Sequence, residues 1–137
     1  MALVMDVSVK VTDLGSIKEG QYIVIDGEPC KVVSVEKSKP GKHGSAKARV
    51  TAIGIFDGQK RSIVAPVDTK VNVPIISKRA AQVISVSEDF VQVMDLETYE
   101  TYEVPKPEEA ELAEKISPGV EVEVWDVLGR KIIKRLR

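Results

Sequence analysis

The side chains that could do chemistry concentrate in one stretch, residues 37–50, which carries four lysines and one arginine. No acidic residue follows until Asp57, and Lys42 and His43 lie at the centre between Gly41 and Gly44. A basic, glycine-rich segment between two apolar strand patterns predicts an exposed hairpin loop. Clustered cations bind phosphates, so contact with nucleic acid is the function that this composition favours. The competing interpretation is a lysine-rich loop that is only solvated.

The sequence lacks the sets of residues that catalysis or metal binding would need. Cys30 and His43 are the only residues of their kinds, so no metal-ligand cluster is predicted. His43 and Ser45 are neighbours, but no acid flanks them and a glycine-rich loop cannot hold a catalytic triad in register. Gly41 and Lys42 lack the earlier glycine and the following Ser or Thr of a phosphate-binding loop. We therefore expect no catalytic residue, metal or cofactor, and a protein that is not an enzyme.

The composition predicts a soluble globular protein. The chain has 137 residues, of which 43% are hydrophobic and 30% charged. No apolar run approaches the length of a membrane span, and the N-terminus has no signal-peptide pattern. A single cysteine, Cys30, cannot form an internal disulfide and is expected to be a small buried side chain. These features favour a cytoplasmic protein that does not bind a membrane.

The net charge of −1 hides two halves of opposite sign. Residues 1–71 contain 11 Lys and Arg against 8 Asp and Glu, whereas residues 72–137 contain 9 against 13. The sign changes near residues 70–74, where Pro74 would stiffen a short connection. We predict two domains, residues 1–71 and 72–137, of which the basic first domain is the candidate for contact with nucleic acid.

The first half reads as short strands joined by tight turns. Asp26-Gly27 and Asp57-Gly58 are hairpin signals, and Gly54 within a strand pattern suggests a bulge or bend. Short strands at close, regular spacing favour a small closed barrel over an open sheet, because closure removes exposed edges.

The second half follows the order strand, strand, strand, helix, strand, strand, which is the order of a five-stranded OB barrel. Strands are predicted over residues 79–86, 90–96 and 98–104, then a helix over residues 107–116 with Pro107 in its first turn. Trp125, in a strand of valines, is expected in the core, whereas Tyr99 and Tyr102 could stack on nucleobases. The predicted fold is all-β: two small barrels with one short helix.

The loop also carries a specific motif. Gly41, Lys42, His43, Gly44, Ser45, Ala46 and Lys47 closely resemble the modification loop of the translation initiation factor 5A family, the hypusine-containing factors of archaea and eukaryotes. That family pairs an SH3-like basic N-terminal barrel with an acidic OB-type C-terminal barrel, and bacterial elongation factor P is its counterpart. The resemblance therefore extends over the whole chain.

The resemblance implies a function. It implies that Lys42 receives an aminobutyl group from spermidine through deoxyhypusine synthase, with no other cofactor. It also implies that the factor, expected to be a monomer, binds ribosomal RNA and peptidyl-tRNA, relieves stalling at sequences such as consecutive prolines and assists termination. The residues that it assigns to the RNA- and ribosome-contacting loop are Lys37, Lys39, Gly41, Lys42, His43, Gly44, Lys47 and Arg49.

Two loop positions point to the origin of the chain. Pro40 and Ser45 stand where the eukaryotic loop usually has Thr and His, and this difference indicates an archaeal member. Deoxyhypusine and hypusine both stay open as the final state of Lys42. The alternative function is a general RNA-binding module that uses the basic loop and the OB unit independently of modification.

Overall fold

The computed structural model of the chain describes residues 9–39 and 46–137. Its backbone contacts divide it into two compact units, Met1–Ile75 and Ile76–Arg137. The sequence pattern placed the boundary after residue 71 and read residues 71–74 as a connection. Lys70–Pro74 is instead a strand that pairs with Val9–Asp13, with Val9 opposite Pro74 and Asp13 opposite Lys70.

The first unit consists of short antiparallel strands, as the sequence predicts. Four of them form one curled sheet in chain order, while the first and last of the unit pair with each other. A single 3-10 turn, Leu14–Ser16, follows the first strand. The strands are β1 (Val9–Asp13), β2 (Tyr22–Ile25), β3 (Glu28–Ser38), β4 (Lys47–Gly54), β5 (Lys60–Pro66) and β6 (Lys70–Pro74).

The turns of this unit follow from residues that tolerate a left-handed backbone. Asp26 and Gly27 join β2 to β3 with φ angles of 53° and 77°, the conformation of a type I′ hairpin. Of the bulge or bend predicted at Gly54, the bulge is wrong, because the register shift lies in β3, between Val32 and Ser34. Gly54 instead ends β4, where a Cβ would lie 2.0 Å from Oδ1 of Asp57.

The core of the first unit is made of small and β-branched side chains. Val32, Ala48 and Val50 face it from the central strands β3 and β4, and Leu14 of the 3-10 turn is fully buried against it. Lys47 and Arg49 alternate with these core residues and are exposed, since side chains of a strand point to opposite faces in turn. The buried set is Leu14, Ile17, Ile23, Ile25, Cys30, Val32, Ala48, Val50, Ala52 and Val71.

The second unit has the predicted OB order. Five strands form one sheet in the order β11–β10–β7–β8–β9, and the helix lies between β9 and β10 in the chain. The two edge strands, β9 and β11, approach each other, so the sheet curls toward a barrel. The elements are β7 (Ile76–Val86), β8 (Phe90–Asp95), β9 (Thr101–Pro105), α1 (Ala110–Glu114), β10 (Glu121–Val127) and β11 (Arg130–Leu136).

The helix is shorter than predicted. It comprises only Ala110–Glu114, and Pro107 precedes it instead of occupying its first turn. Short helices are marginal by themselves, and here only Leu112 and the following Ile116 pack on the core. Packing against the core therefore stabilises only one turn of helix.

A buried ion pair sets where β9 begins. Asp95, 4% exposed at the end of β8, accepts hydrogen bonds from Nε and Nη2 of Arg79 at 2.6 and 3.0 Å. Its Oδ1 also accepts the backbone N–H groups of Glu97 and Thr98. The hydrogen bonds from Arg79 hold the pKa of Asp95 well below its usual range. Residues 96–99 are thus fixed as a turn, and β9 starts at Thr101 instead of the predicted residue 98.

Across the described ranges, no helix combines the length and the apolar character needed to cross a bilayer.

Candidate nucleic-acid interface

The basic stretch is carried by the hairpin of β3 and β4. The antiparallel ladder runs up to the pair Ser38–Lys47, so the connecting segment is short and starts directly at the end of a regular ladder. Gly41, Lys42, His43 and Gly44, with Pro40 and Ser45, lie outside the described residues. The structure therefore describes both strands that flank the loop and the cations at their ends.

The described cations of the loop do not share one face. Residues directly opposite each other in an antiparallel pair point to the same side of the sheet. Lys37 is opposite the buried Ala48, whereas Lys47 and Arg49 alternate with Ala48 and point to the other side. Lys37, Lys39, Lys47 and Arg49 are all exposed. The hairpin thus presents positive charge on both flanks.

The start of β4 is tied to the rest of the unit by two backbone hydrogen bonds. The N–H of Val67 donates to the C=O of Ala46 at 2.9 Å, and the N–H of Gly15 donates to the C=O of Val67 at 2.8 Å. A Cβ on Gly15 would lie 2.8 Å from Cβ of Val67, so only glycine fits there. The sequence pattern did not indicate Gly15 and Val67 as supports of the loop, because neither carries a polar side chain.

A second group of cations, Lys131, Arg135 and Arg137, lies on β11 and directly after it in the C-terminal unit, and each has an acidic partner on β10. Arg137 Nη1 is 3.0 Å from Glu121 Oε1, and Arg135 Nε is 3.4 Å from Glu123 Oε1. Lys131 pairs with Asp126 at 3.5 Å. We call these six residues the C-terminal strip. Its positive charges are largely neutralised by its own carboxylates.

Trp125 is buried as expected, with 2% of its surface exposed, although it does not belong to the cluster of core side chains that contains Val122 and Val124. Val122 and Val124 point into the core, so Trp125 points to the opposite face of β10. There Nζ of Lys78 lies 4.7 Å from the ring centroid and Nζ of Lys134 lies 5.0 Å away. The indole is thus covered by the stems of cations that attract its ring face.

The two tyrosines proposed for base stacking have different environments. Tyr102 packs on the core of the unit, and burial raises the pKa of its hydroxyl. Tyr99 is 69% exposed in the turn before β9, where its φ is 63°. Tyr102 is therefore not placed to stack on a base, and only Tyr99 has an open ring.

Cys30 and its surroundings are structural. Its side chain is fully buried, Sγ donates to the C=O of Glu28 at 3.3 Å, and burial raises the pKa of the thiol. Arg61 next to it is held by two hydrogen bonds to Asp57, which lower the pKa of that carboxyl to about 2. Within residues 9–39 and 46–137, no group of His, Cys, Asp and Glu side chains could hold a metal ion.

An OB unit preceded by a small β unit with a cation-rich hairpin defines a two-barrel protein of a class that binds nucleic acids. Known families identify it further. The family model "Translation initiation factor 5A-like, N-terminal" matches residues 8–69, and the model "Eukaryotic elongation factor 5A hypusine, DNA-binding OB fold" matches residues 75–137.

Similar proteins match this chain over almost its full length. Translation initiation factor 5A of Thermofilum pendens is 61% identical over 130 residues, which cover 95% of this chain and 98% of the relative. That of Hyperthermus butylicus is 57% identical and covers 95% and 96%. The solved structure titled "Eukaryotic translation initiation factor 5A from Methanococcus jannaschii" has a TM-score of 0.86 and 49% identity and covers all of both chains. The chain belongs to the translation initiation factor 5A family, whose members are translation factors and not enzymes.

Proposed function

We propose that this chain binds the ribosome beside the peptidyl-tRNA and promotes peptide-bond formation at stalling sequences, such as consecutive prolines, and termination. It would do so through a deoxyhypusine or hypusine formed on Lys42. The observation that carries the proposal is the string Gly41–Lys47 in a chain whose N-terminal family match, residues 8–69, includes it.

The residue types of the loop suit both steps. Gly41 and Gly44 have no Cβ, so a synthase cleft could enclose the tip, and ribosomal RNA could enclose it later. The amine of Lys42 is a nucleophile once deprotonated, and its aminobutylated form is longer and has a second cationic nitrogen. The factor would supply no reacting group. Its contribution would be to orient the peptidyl-tRNA, which lowers the entropic part of the barrier.

The described strands support this role mechanically. Because β3 and β4 stay paired up to Ser38 and Lys47, the tip is expected to project from a stiff ladder. Lys37, Lys39, Lys47 and Arg49 would contact phosphates and position the tip without reading sequence. The partners would be deoxyhypusine synthase first and the ribosome afterwards, in the cytoplasm, with a monomeric factor.

The mass of the peptide that contains Lys42, taken from the native source, tests the modification directly. We expect an increase equal to one aminobutyl group, and a further oxygen if hypusine is the final state. An unmodified peptide from the native source would overturn the proposal.

Replacement of Lys42 tests its role in translation. Lys42→Arg keeps the positive charge but cannot accept the aminobutyl group, so we expect loss of the rescue of proline-rich translation. Lys47→Arg is the matched control, because it is an equally conservative change in the same loop that leaves Lys42 intact. If Lys42→Arg rescues translation as well as Lys47→Arg does, the chain acts as a general RNA-binding module and the modification is irrelevant.

A further inference from the structure

A groove opens in the C-terminal unit between α1 and the last residues of β11. Its volume is about 330 Å³, and its apolar lining is Leu112 from the helix and Leu136 from the strand. Both leucines are partly buried, because they also pack on the core of the unit. Ligand sites in proteins have volumes of roughly 300 to 1,000 Å³, so this groove suits a short segment of chain and not a folded domain.

The backbone of β11 offers hydrogen bonds at this groove. The N–H of Arg137 donates to the C=O of Glu121 at 3.0 Å, which makes them a hydrogen-bonded pair of the antiparallel ladder. Such pairs alternate with pairs that exchange no hydrogen bonds, and the neighbouring pair Val122–Leu136 is of this second kind. The N–H and C=O of Leu136 therefore point away from β10, toward the open edge of the sheet. Within the described ranges, no other element forms a backbone hydrogen bond with them.

The two walls of the groove differ in charge. The helix wall carries Glu109 and Glu111, whereas the strand wall carries Lys134 and Arg135. Glu109 forms no ion pair with any described residue, and Glu111 has only an exposed pair with Lys115, at 3.9 Å. The negative charge of the helix wall is therefore available to a cation of a ligand.

Strand alternation relates these walls to a sequence pattern. Leu136 points toward the core, whereas Arg135 points to the opposite face, where its Cζ lies 5.9 Å from the ring centroid of Trp125. A strand added beside β11 alternates in the same way. A residue above the two leucines is then apolar, its neighbour meets the cations of the strand wall, and the residue two positions away meets the acids of the helix wall.

We propose that an extended segment of a partner protein docks in this groove as an added strand, hydrogen-bonded to the backbone of Leu136. The segment has an apolar side chain with an acidic residue next to it and a Lys or Arg two positions away. Main-chain hydrogen bonds give affinity and the two walls select the side chains, as in other complexes formed by strand addition. Lys42 takes no part in this contact, so the outcome is independent of the modification.

The sequence pattern can be tested with short random peptides displayed on phage and selected against the full chain. We expect enrichment of peptides in which an apolar residue has an acidic neighbour and a basic residue two positions away. Selection of peptides without this pattern, or of none, would overturn the proposal.

The position of the site is tested with an enriched peptide, made synthetically, and two variants of the full chain. Glu109→Lys should weaken its binding about five- to tenfold, because it replaces an attraction by a repulsion at an exposed site. Glu108→Lys is the matched control, since Glu108 is also an exposed acid before α1 but does not line the groove. The control should bind as the wild type does. Equal affinities of the two variants would place the peptide elsewhere and contradict the proposal.

Amide exchange distinguishes strand addition from contact through side chains alone. In the free protein, the N–H of Leu136 should exchange faster than the bonded N–H of Arg137. In the peptide complex, the N–H of Leu136 should become protected. Peptide binding that leaves its exchange unchanged would rule out an added strand.

Sedimentation of the full chain over a range of concentrations tests the alternative occupant, a second copy of the chain. We expect no self-association through this groove. A dimer that dissociates in Glu109→Lys but persists in Glu108→Lys would show that the groove binds a second copy, and the proposal would be wrong.

Discussion

Two surfaces of this molecule are rich in cations, and they differ in what neutralises them. On the side of the β3–β4–β5 sheet that points away from the core, which we call the outer sheet face, Lys31, Lys47, Arg49 and Lys60 accompany one acidic residue, Glu36, and form no described ion pair. On the C-terminal strip, each of Lys131, Arg135 and Arg137 lies within 3.5 Å of a carboxylate oxygen. Counting basic residues along the chain would rank β11 highly, because more than half of its residues are Lys and Arg. The placement of the acids, and not the number of cations, decides which surface attracts phosphate.

The same difference predicts whether a substitution reduces stability or binding. A cation paired with a buried acid supports the fold, so its loss should reduce stability, whereas loss of an unpaired surface cation should affect binding alone. The C-terminal unit contains the strongest example of the first kind in the buried pair Arg79–Asp95, with Asp95 4% exposed.

The largest expected effect is therefore Asp95→Ala, which removes the ion pair and the acceptor of two backbone N–H groups. We expect it to lower the free energy of unfolding by about 3 kcal/mol, the cost of disrupting a buried hydrogen-bonded charge. Asp95→Asn keeps the Oδ1 acceptor for the turn and should lose roughly half as much. Denaturant unfolding measures both. Equal losses for the two variants would show that the hydrogen bonds to the turn contribute nothing, whereas an unchanged stability of Asp95→Asn would show that the ion pair contributes nothing.

The pair also makes a prediction about pH. Because folding lowers the pKa of Asp95, its stabilising contribution is complete above the unfolded-state pKa of about 3.9 and is lost as pH falls toward the folded-state value. The stability difference between wild type and Asp95→Asn should be constant from pH 7 to about 5 and shrink below pH 4. Chemical denaturation at several pH values tests the sign. A difference that grows on acidification would contradict it.

An intermediate effect is expected at the support of the loop. Gly15→Ala places a Cβ 2.8 Å from Cβ of Val67, and Val67 must shift with the backbone of Ala46 that it holds. We expect a loss of about 1 to 3 kcal/mol, as for other overpacked sites, together with faster amide exchange of Val67 and slower modification of Lys42.

Gly20→Ala is the control for that variant. Its φ is +86° and nothing lies near its added Cβ, so it is strained by the backbone alone and does not touch the loop base. Equal rates of Lys42 modification in the two variants would show that the Gly15–Val67–Ala46 connection does not position the loop.

The smallest effect is expected when the C-terminal strip loses its acidic partners and so becomes similar to the outer sheet face. Glu121→Gln/Glu123→Gln removes the partners of Arg137 and Arg135, while a glutamine at residue 123 can still accept the hydrogen bond from Trp125 Nε1. Exposed ion pairs contribute only about 0 to 1 kcal/mol, so stability should hardly change. The salt dependence of ribosome binding should instead steepen. An unchanged slope would mean that neutralisation by neighbouring acids does not distinguish the two surfaces.

Much of the fold was predictable because its determinants are local. Asp26-Gly27 joins β2 and β3 as expected, since few other dipeptides tolerate two left-handed residues. The alternation of Val120, Val122 and Val124 placed β10, and the OB order followed from the sequence of elements. The motif at Gly41–Lys47 pointed to a family that the comparisons confirm.

Other features depend on partners distant in sequence. Residues 71–74 read as a connection, but they pair with β1, which begins some 60 residues earlier in the chain. The predicted helix was too long because its acidic residues suited a helix N-terminus, whereas only one turn packs on the core. The burial of Trp125 was expected from its apolar neighbours and is confirmed, whereas its place on the face of β10 next to Lys78 and Lys134 was not predicted.

The sequence by itself determined the family, the two β units and the basic loop with Lys42 at its centre, because turn residues, strand alternation and a specific motif are written in consecutive positions. Only the tertiary structure decided which cations remain unneutralised, that Gly15 and Val67 tie down the start of β4, and that the loop adjoins an extended outer sheet face. These properties depend on strand register, which brings together residues such as Lys31 and Lys60 that no local pattern connects.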